Sequence, residues 1–134
     1  MGVDEDQISR TLCEYSLSCD DGRFDDLAEL FTEDARFEVS GTVAEGRPAI
    51  QALLMKMLPE GSRGQHITSN TVVDIDGDTA SATTDYVFLR PTAGGPAIVA
   101  AGRYYDRLAR YGPKWRFRQR AITMLGVPGG RPGE

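Results

Sequence analysis

Apolar positions recur along this chain with two periods, helical in the first half and strand-like in the second. Ile8, Leu12, Tyr15 and Cys19 are spaced four, three and four apart, which makes one stripe of an amphipathic helix. The helix is predicted from about Glu5 to about Asp20. Asp4 followed three residues later by Gln7 has the form of a capping box, and Gly22 is a natural stop. A second, short helix from Phe24 to Leu30 turns Phe24, Leu27, Ala28 and Phe31 inward. Thr32-Glu33-Asp34 reads as a turn, Ala35 to Val39 as an alternating strand, and Thr42 to Glu45 as its hairpin partner. Gly46-Arg47-Pro48 opens a third helix, with Pro48 in the first turn. Its buried face carries Ile50, Leu53, Leu54, Met57 and Leu58, and Pro59-Glu60-Gly61 ends it.

From Gln65 the period becomes two. Strands are predicted over about 65–75, 78–90, 96–110 and 114–125. Asp76-Gly77 is a tight hairpin turn, whereas Pro91 to Pro96 and Tyr111-Gly112-Pro113 read as longer turns. Helices followed by long consecutive strands predict an α+β domain. The expected form is a cone-shaped, strongly curved mixed or antiparallel sheet, closed by three N-terminal helices around an apolar cavity. Ala100, Gly102 and Tyr104 lie on one face of their strand, and Val99, Ala101 and Tyr105 on the other. A sheet apolar on both faces needs two covers. The helices supply one; a second subunit would supply the other, so a homodimer or higher homo-oligomer through the sheet is expected. Residues 1–125 are expected to form a single domain, and the Gly- and Pro-rich residues 126–134 a flexible tail.

Composition narrows the partners. The 134 residues, 40% hydrophobic and 26% charged, suit one globular domain, and a net charge of −5 argues against nucleic acid or an anionic membrane as partner. No apolar run approaches the roughly 20 residues of a spanning helix, and the N-terminus lacks a basic, apolar signal segment, which predicts a cytoplasmic protein. Cys13 and Cys19 lie six apart in one predicted helix, poor spacing for a disulfide. With a single histidine there is no zinc set. Reduced core thiols are expected, with no metal and no cofactor. Gly94-Gly95-Pro96 is a turn rather than a phosphate loop, because no helix follows it. Asp74 to Asp78 sits on a hairpin and lacks the later glutamate of a calcium loop.

The candidate chemistry centres on His66, the single histidine, at the start of a predicted strand. Its unperturbed pKa of about 6.5 suits it to take and give a proton near neutrality. On an unbroken strand His66, Thr68, Asn70 and Val72 share a face, which makes Asn70 a candidate substrate contact. Taken alone, His66 is equally readable as a ring satisfied by a neighbouring carbonyl. Asp20 changes the balance. It stands at the C-terminal end of the first helix, where the dipole disfavours a carboxylate by a few tenths to about 1 kcal/mol. Directed into a cavity mouth, it would accept a proton from one ring nitrogen of His66 and orient the ring. Asp21 is expected to face solvent. Tyr15, on the apolar stripe, is either core or a donor to a substrate oxygen. Arg120 alternates with Trp115 and Phe117 but shares parity with Ile122 and Met124, so either it is solvated or a bulge turns it inward, to pair with Asp20 or bind an anionic or carbonyl group. Leu54, Val87 and Ile98 are expected to line the cavity.

The order of these segments, an Asp-terminated helix, then "DLAELFTEDARFEV", "GRPAIQALL", "QHITSN" and "KWRFRQRAI", resembles the SnoaL-like branch of the nuclear transport factor 2-like superfamily, from about Gln7 to about Leu125. Within it the sequence is similar to the Asp–His lyases: scytalone dehydratase, hexachlorocyclohexane dehydrochlorinase and bile-acid 7α-dehydratase. The resemblance implies a pairing of Asp20 with His66, a role for Tyr15 as in the bile-acid enzyme, and a pocket arginine at Arg120 or Arg118 as in the dehydrochlorinase. A second histidine used by scytalone dehydratase has no counterpart. The implied function is a cofactor-independent lyase, dehydratase or isomerase acting on a small hydrophobic cyclic substrate of steroid, polyketide or aromatic type. Because the superfamily also holds non-catalytic binders and dioxygenase subunits, a small-molecule-binding module and a small subunit of a ring-hydroxylating dioxygenase stand as alternatives.

Overall fold

The structure, a computed structural model, describes residues 2–128. Most of the expected C-terminal tail, residues 129–134, lies outside the described residues. Three helices, α1 (Val3–Asp21), α2 (Phe24–Glu29) and α3 (Arg47–Met57), are interleaved with and followed by six strands. These are β1 (Phe31–Val39), β2 (Thr42–Glu45), β3 (Gln65–Asp76), β4 (Thr79–Thr92), β5 (Gly95–Tyr111) and β6 (Lys114–Met124), with a short 3-10 turn at Glu60–Ser62. The strands form one mixed sheet in the order β2-β1-β6-β5-β4-β3. Every neighbour pair is antiparallel except β1 and β6.

The α+β class and the three helices agree with the sequence reading; the closed cone does not. The sheet does not close. It ends at β2, which pairs with β1 alone, and at β3, which pairs with β4 alone. Nor do the helices enclose one large cavity. Aromatic side chains fill most of the space beneath them: Tyr15 lies edge-on to Phe31, Tyr104 and Phe117 with ring centroids 6.4, 5.8 and 5.9 Å away. Trp115, Phe31, Phe37 and Phe117 are fully buried.

Several local expectations are also revised. The capping box does not form: Gly2 is the N-cap of α1, with no side-chain cap. Asp4 turns instead to the sheet, where Arg110 holds it through both terminal nitrogens and Trp115 Nε1 donates to it at 3.2 Å. Arg110 hydrogen bonding keeps the Asp4 carboxyl below the usual aspartate range. The polar run Thr32-Glu33-Asp34 is not a turn but part of β1, where the pairing with β6 jumps between Phe31 and Arg36. The turn between β4 and β5 is tight rather than long, because pairing continues to Thr92 and Gly95. Cys13 is exposed, since it lies off the α1 stripe, while Cys19 is buried; both are free thiols.

Three single-residue bulges set which side chains face the helices, one of them in β5, where Phe88 pairs with Ala100 and Leu89 with Ile98, so that Val99 is the extra residue. In β3, pairing shifts between Ser69 and Val72, and Asn70 takes a left-handed φ of 55°. In β6, Phe117 pairs with Leu108 and Gln119 with Arg107, so Arg118 is the extra residue. Each bulge reverses the alternation. Trp115 and Phe117 therefore share the helix-facing side with Arg120, Ile122 and Met124. Arg120 is buried and forms a bidentate pair with buried Asp106, Nε–Oδ1 2.7 Å and Nη2–Oδ2 2.8 Å. Burial pulls the Arg120 pKa down, but Asp106 outweighs it and holds the guanidinium protonated.

Removing one member of such a pair strands the other charge, at a cost of about 3–5 kcal/mol. Asp106→Ala is expected to lose about that much in urea unfolding. The double replacement Asp106→Leu with Arg120→Met should lose much less, because it removes both charges. Equal losses would show that packing rather than charge pairing sets the cost.

Candidate active site

The site is assembled where the end of α1 meets the start of β3. Gly22 closes α1 in the left-handed conformation, φ 68°, and no basic residue occupies the helix's last turn. The charge missing there comes from elsewhere in the chain. Arg63 lies against Gly22, so close that a Cβ on Gly22 would fall 2.4 Å from its guanidinium carbon. Arg63 is itself anchored by donating to the Leu58 carbonyl at 3.3 Å and by covering the Phe24 ring at 5.5 Å. A cation at a helix C-terminus offsets the dipole that would otherwise disfavour Asp20.

Asp20 reaches across to β3. Its Oδ1 lies 2.6 Å from His66 Nδ1, and both carboxylate oxygens accept the His66 backbone N–H at 3.1 Å. The two side chains are nearly buried, 13% and 11% exposed. With the Nδ1 proton donated to Asp20, the lone pair of a neutral ring sits on Nε2. The ring is also held by Phe88, its cross-strand partner, with centroids 4.5 Å apart.

His66 borders an apolar pocket of about 170 Å³. Leu54 and Leu58 form its helix side, Phe88, Ala100, Ile122 and Met124 its sheet side, and Tyr15, Cys19, Tyr86 and Tyr104 supply its polar atoms. Burial pushes the Cys19 thiol and the Tyr86 phenol up to about 12 and also raises Tyr15 well above its ordinary value, so all three remain protonated at neutral pH. A larger surface groove of about 750 Å³ borders α1, α2 and Lys114 to Arg116. It contains neither Asp20 nor His66 and mixes charges of both signs, so it has no claim to the chemistry. No group of three or more His, Cys, Asp or Glu side chains gathers as a metal site among the described residues. No helix among them is long and apolar enough to cross a membrane.

The structure brings Asp20, His66, Tyr15 and Leu54 of the anticipated residues to one place. Four others lie elsewhere or act indirectly. Asn70 is the bulge residue of β3, so it leaves the His66 face and donates to Asp85 at 3.0 Å. Val87 pairs with Ile67 and has the parity opposite to Tyr86 and Phe88, which puts it on the other side of the sheet. Ile98 is 63% exposed and does not line the pocket. Arg120 is turned inward while Arg118 is exposed, but its partner is Asp106, not Asp20. It lies behind the pocket, its guanidinium carbon 4.1 Å from the Tyr15 ring centroid and 3.9 Å from that of Tyr104. Phe88, Tyr86, Tyr104 and Cys19 escaped the sequence reading as site residues. The signal for three of them was present in the alternation Thr84, Tyr86, Phe88 and in the alternation Ala100, Gly102, Tyr104 that pairs with it.

Comparison with known proteins agrees with this architecture. The family model for the SnoaL-like domain matches residues 3–121. The uncharacterized protein Rv2910c of Mycobacterium tuberculosis is 30% identical over 128 residues, covering 87% of this chain and 82% of that protein. Rv3472 of the same species, a protein of unknown function, superposes with a TM-score of 0.82 at 31% identity, covering 88% of this chain and 69% of the other. A scytalone dehydratase-like protein from Novosphingobium aromaticivorans superposes with a TM-score of 0.81 over 96% and 89% of the two chains. At 22% identity that likeness shows a shared fold alone.

The dyad depends on how closely β3 starts against β4. A Cβ at Gly64 would fall 1.9 Å from the Leu89 carbonyl oxygen, whereas one at Gly61 meets nothing within 4 Å. Gly64→Ala is expected to push the start of β3 away and to speed hydrogen exchange of the His66 amide, which Asp20 otherwise protects. Gly61→Ala should leave that exchange unchanged. Equal behaviour of the two variants would show that the close approach does not hold the dyad.

Proposed function

The chain belongs to the SnoaL-like domain family, and within it we propose that this protein is a cofactor-independent acid–base enzyme, a dehydratase-type lyase or an isomerase, acting on a small hydrophobic molecule. One observation carries the reading: a carboxylate 2.6 Å from the Nδ1 of the single histidine, at the edge of an apolar pocket. Asp20 fixes the tautomer and leaves Nε2 as the base. His66 Nε2 takes a proton from a carbon beside a carbonyl or beside the carbon bearing a leaving group. The imidazolium that forms is stabilised by the Asp20 carboxylate. The electron pair from the broken C–H bond either moves onto the carbonyl oxygen, as an enolate, or forms the new double bond as the leaving group departs. In the isomerase variant the same proton returns to a different carbon. Tyr15, which keeps its proton, would donate to developing negative charge in this reading. The similarity to Asp–His lyases at the positions of Asp20 and His66 supports the same assignment.

A homodimer through the sheet is part of this reading. Ile67, Val72 and Ile98 on β3 and β5 are 49%, 62% and 63% exposed, and their parity places them away from the helices. Sedimentation of the full chain should give a dimer at micromolar concentration; a monomer throughout would overturn that part.

A positioned general base contributes about 10²–10⁴ in rate. His66→Gln is therefore expected to lower kcat/KM by that factor on any turned-over cyclic ketone or hydroxyketone, with ligand binding retained. Asp20→Asn should lower kcat as well, because the amide still orients the ring but no longer balances its charge. Turnover that survives His66→Gln unchanged would remove the histidine from the mechanism and leave a binding module as the better description.

A further inference from the structure

Volume, charge and hydrogen-bond supply in the pocket together restrict what it accepts, given the acid–base reading above. Its roughly 170 Å³ is well below the approximately 300–1,000 Å³ of drug-sized ligand sites. An apolar cavity of about 150 Å³ is enough for benzene. One six-membered ring with small substituents fits within it; four fused rings would extend well beyond its walls, which counts against the steroid among the substrate types considered above.

Charge narrows the choice further. The pocket wall carries no Lys or Arg. The nearest buried cation, Arg120, is committed to Asp106 and lies behind the rings of Tyr15 and Tyr104. A carboxylate or phosphate entering the pocket would lose its hydration and meet no Lys or Arg on the wall, so the ligand is neutral.

Hydrogen bonding then selects among neutral molecules. Tyr86 uses its hydroxyl on the Thr123 carbonyl at 3.2 Å. Tyr15 has the Cys19 thiol as its neighbour. Tyr104, stacked on Tyr86 with centroids 4.6 Å apart, has no acceptor for its hydroxyl among the described residues. The pocket floor is thus rich in protonated donors and poor in acceptors. The Arg120 guanidinium covers the faces of both rings, and its positive charge partly offsets the burial that raises their pKa values. A hydroxyl that faces the pocket without a protein partner is free to donate to a ligand oxygen, which replaces the water it would otherwise bind.

We propose that the substrate is an uncharged, single-ring compound bearing a carbonyl or ether-type oxygen acceptor, and that Tyr104, together with Tyr15, binds that oxygen while Phe88, Leu54 and Ile122 hold the ring beside His66. Tyr104 thereby joins the site as a substrate-binding residue.

Binding measured by NMR titration of the intact protein separates this from the catalytic reading. The probes are cyclohexanone, methylcyclohexane as its oxygen-free counterpart, cyclohexanecarboxylate, and a four-ring steroid ketone. Cyclohexanone is expected to bind the native protein and His66→Gln alike, and to bind Tyr104→Phe about three- to tenfold more weakly, the value of one hydrogen bond. Methylcyclohexane should bind native protein and Tyr104→Phe equally, which also shows that the variant's pocket is intact. The carboxylate and the steroid should bind at least about tenfold more weakly than cyclohexanone, the factor of one lost polar or steric fit of about 1.4 kcal/mol. The proposal is overturned if the steroid or the carboxylate binds as well as cyclohexanone, if Tyr104→Phe leaves cyclohexanone binding unchanged, or if cyclohexanone does not bind. Because none of these readouts requires turnover, the catalytic role of His66 can fail while the ligand class stands, and the reverse.

Discussion

A single carboxylate ties the helical layer to the edge of the sheet. Asp20 ends α1, yet three of its hydrogen bonds go to His66 at the start of β3, two to the backbone and one to the ring. β3 is an edge strand, and its first residues are held by β4 on one side only. The contact that orients the histidine therefore also positions the strand that carries it. This double use explains why a carboxylate is kept at a helix end that disfavours it, and why Arg63 is brought back against Gly22 to offset the unfavourable dipole.

The parts of the fold set by periodicity were legible in the sequence. The stripe Ile8, Leu12, Tyr15 and Cys19 is buried as expected, because helical spacing and burial are the same fact seen twice. The switch to strands at Gln65 was equally clear. What periodicity does not carry is a residue that breaks it. Counting outward from the Asp76–Thr79 pair along a perfect hairpin sets His66 opposite Leu89. The bulge at Asn70 shifts the register by one and sets it opposite Phe88 instead. That shift decides both the ring that packs on the histidine and the loss of Asn70 from its face. Asparagine tolerates the left-handed conformation better than most residues, so the bulge has a local cause, but the same residue type serves in many turns and loops. At Arg118 no such marker exists. There the sequence left Arg120 open between two faces, and only the pairing of β6 with β5 resolves it.

The closed cone failed for a different reason. Strand content and apolar faces predict that a sheet is covered; they do not state whether its edges meet. That depends on the length and pairing of the outermost strands, and β2 with four residues joins only β1. The interior volume was likewise hidden. It is the small remainder left after Tyr15, Phe31, Tyr104, Phe117 and Trp115 have packed, and a remainder cannot be read from a list of the residues that leave it.

Two charged pairs share this interior and are held differently, and the difference bears on function. Arg120 and Asp106 are buried behind aromatic rings and paired through two hydrogen bonds, which leaves Arg120 Nη1 without a partner among the described residues. A pair so placed keeps a fixed charge and shapes the field around Tyr15 and Tyr104 without exchanging a proton. Asp20 and His66 stand nearer the surface, each slightly exposed, with one ring nitrogen engaged and the other free to meet a ligand. A proton-transfer group must change charge during each cycle, which deep burial would penalise in one of its two states. On the acid–base reading proposed above, the constant charges are sealed and the histidine that exchanges a proton with substrate stands at the pocket edge.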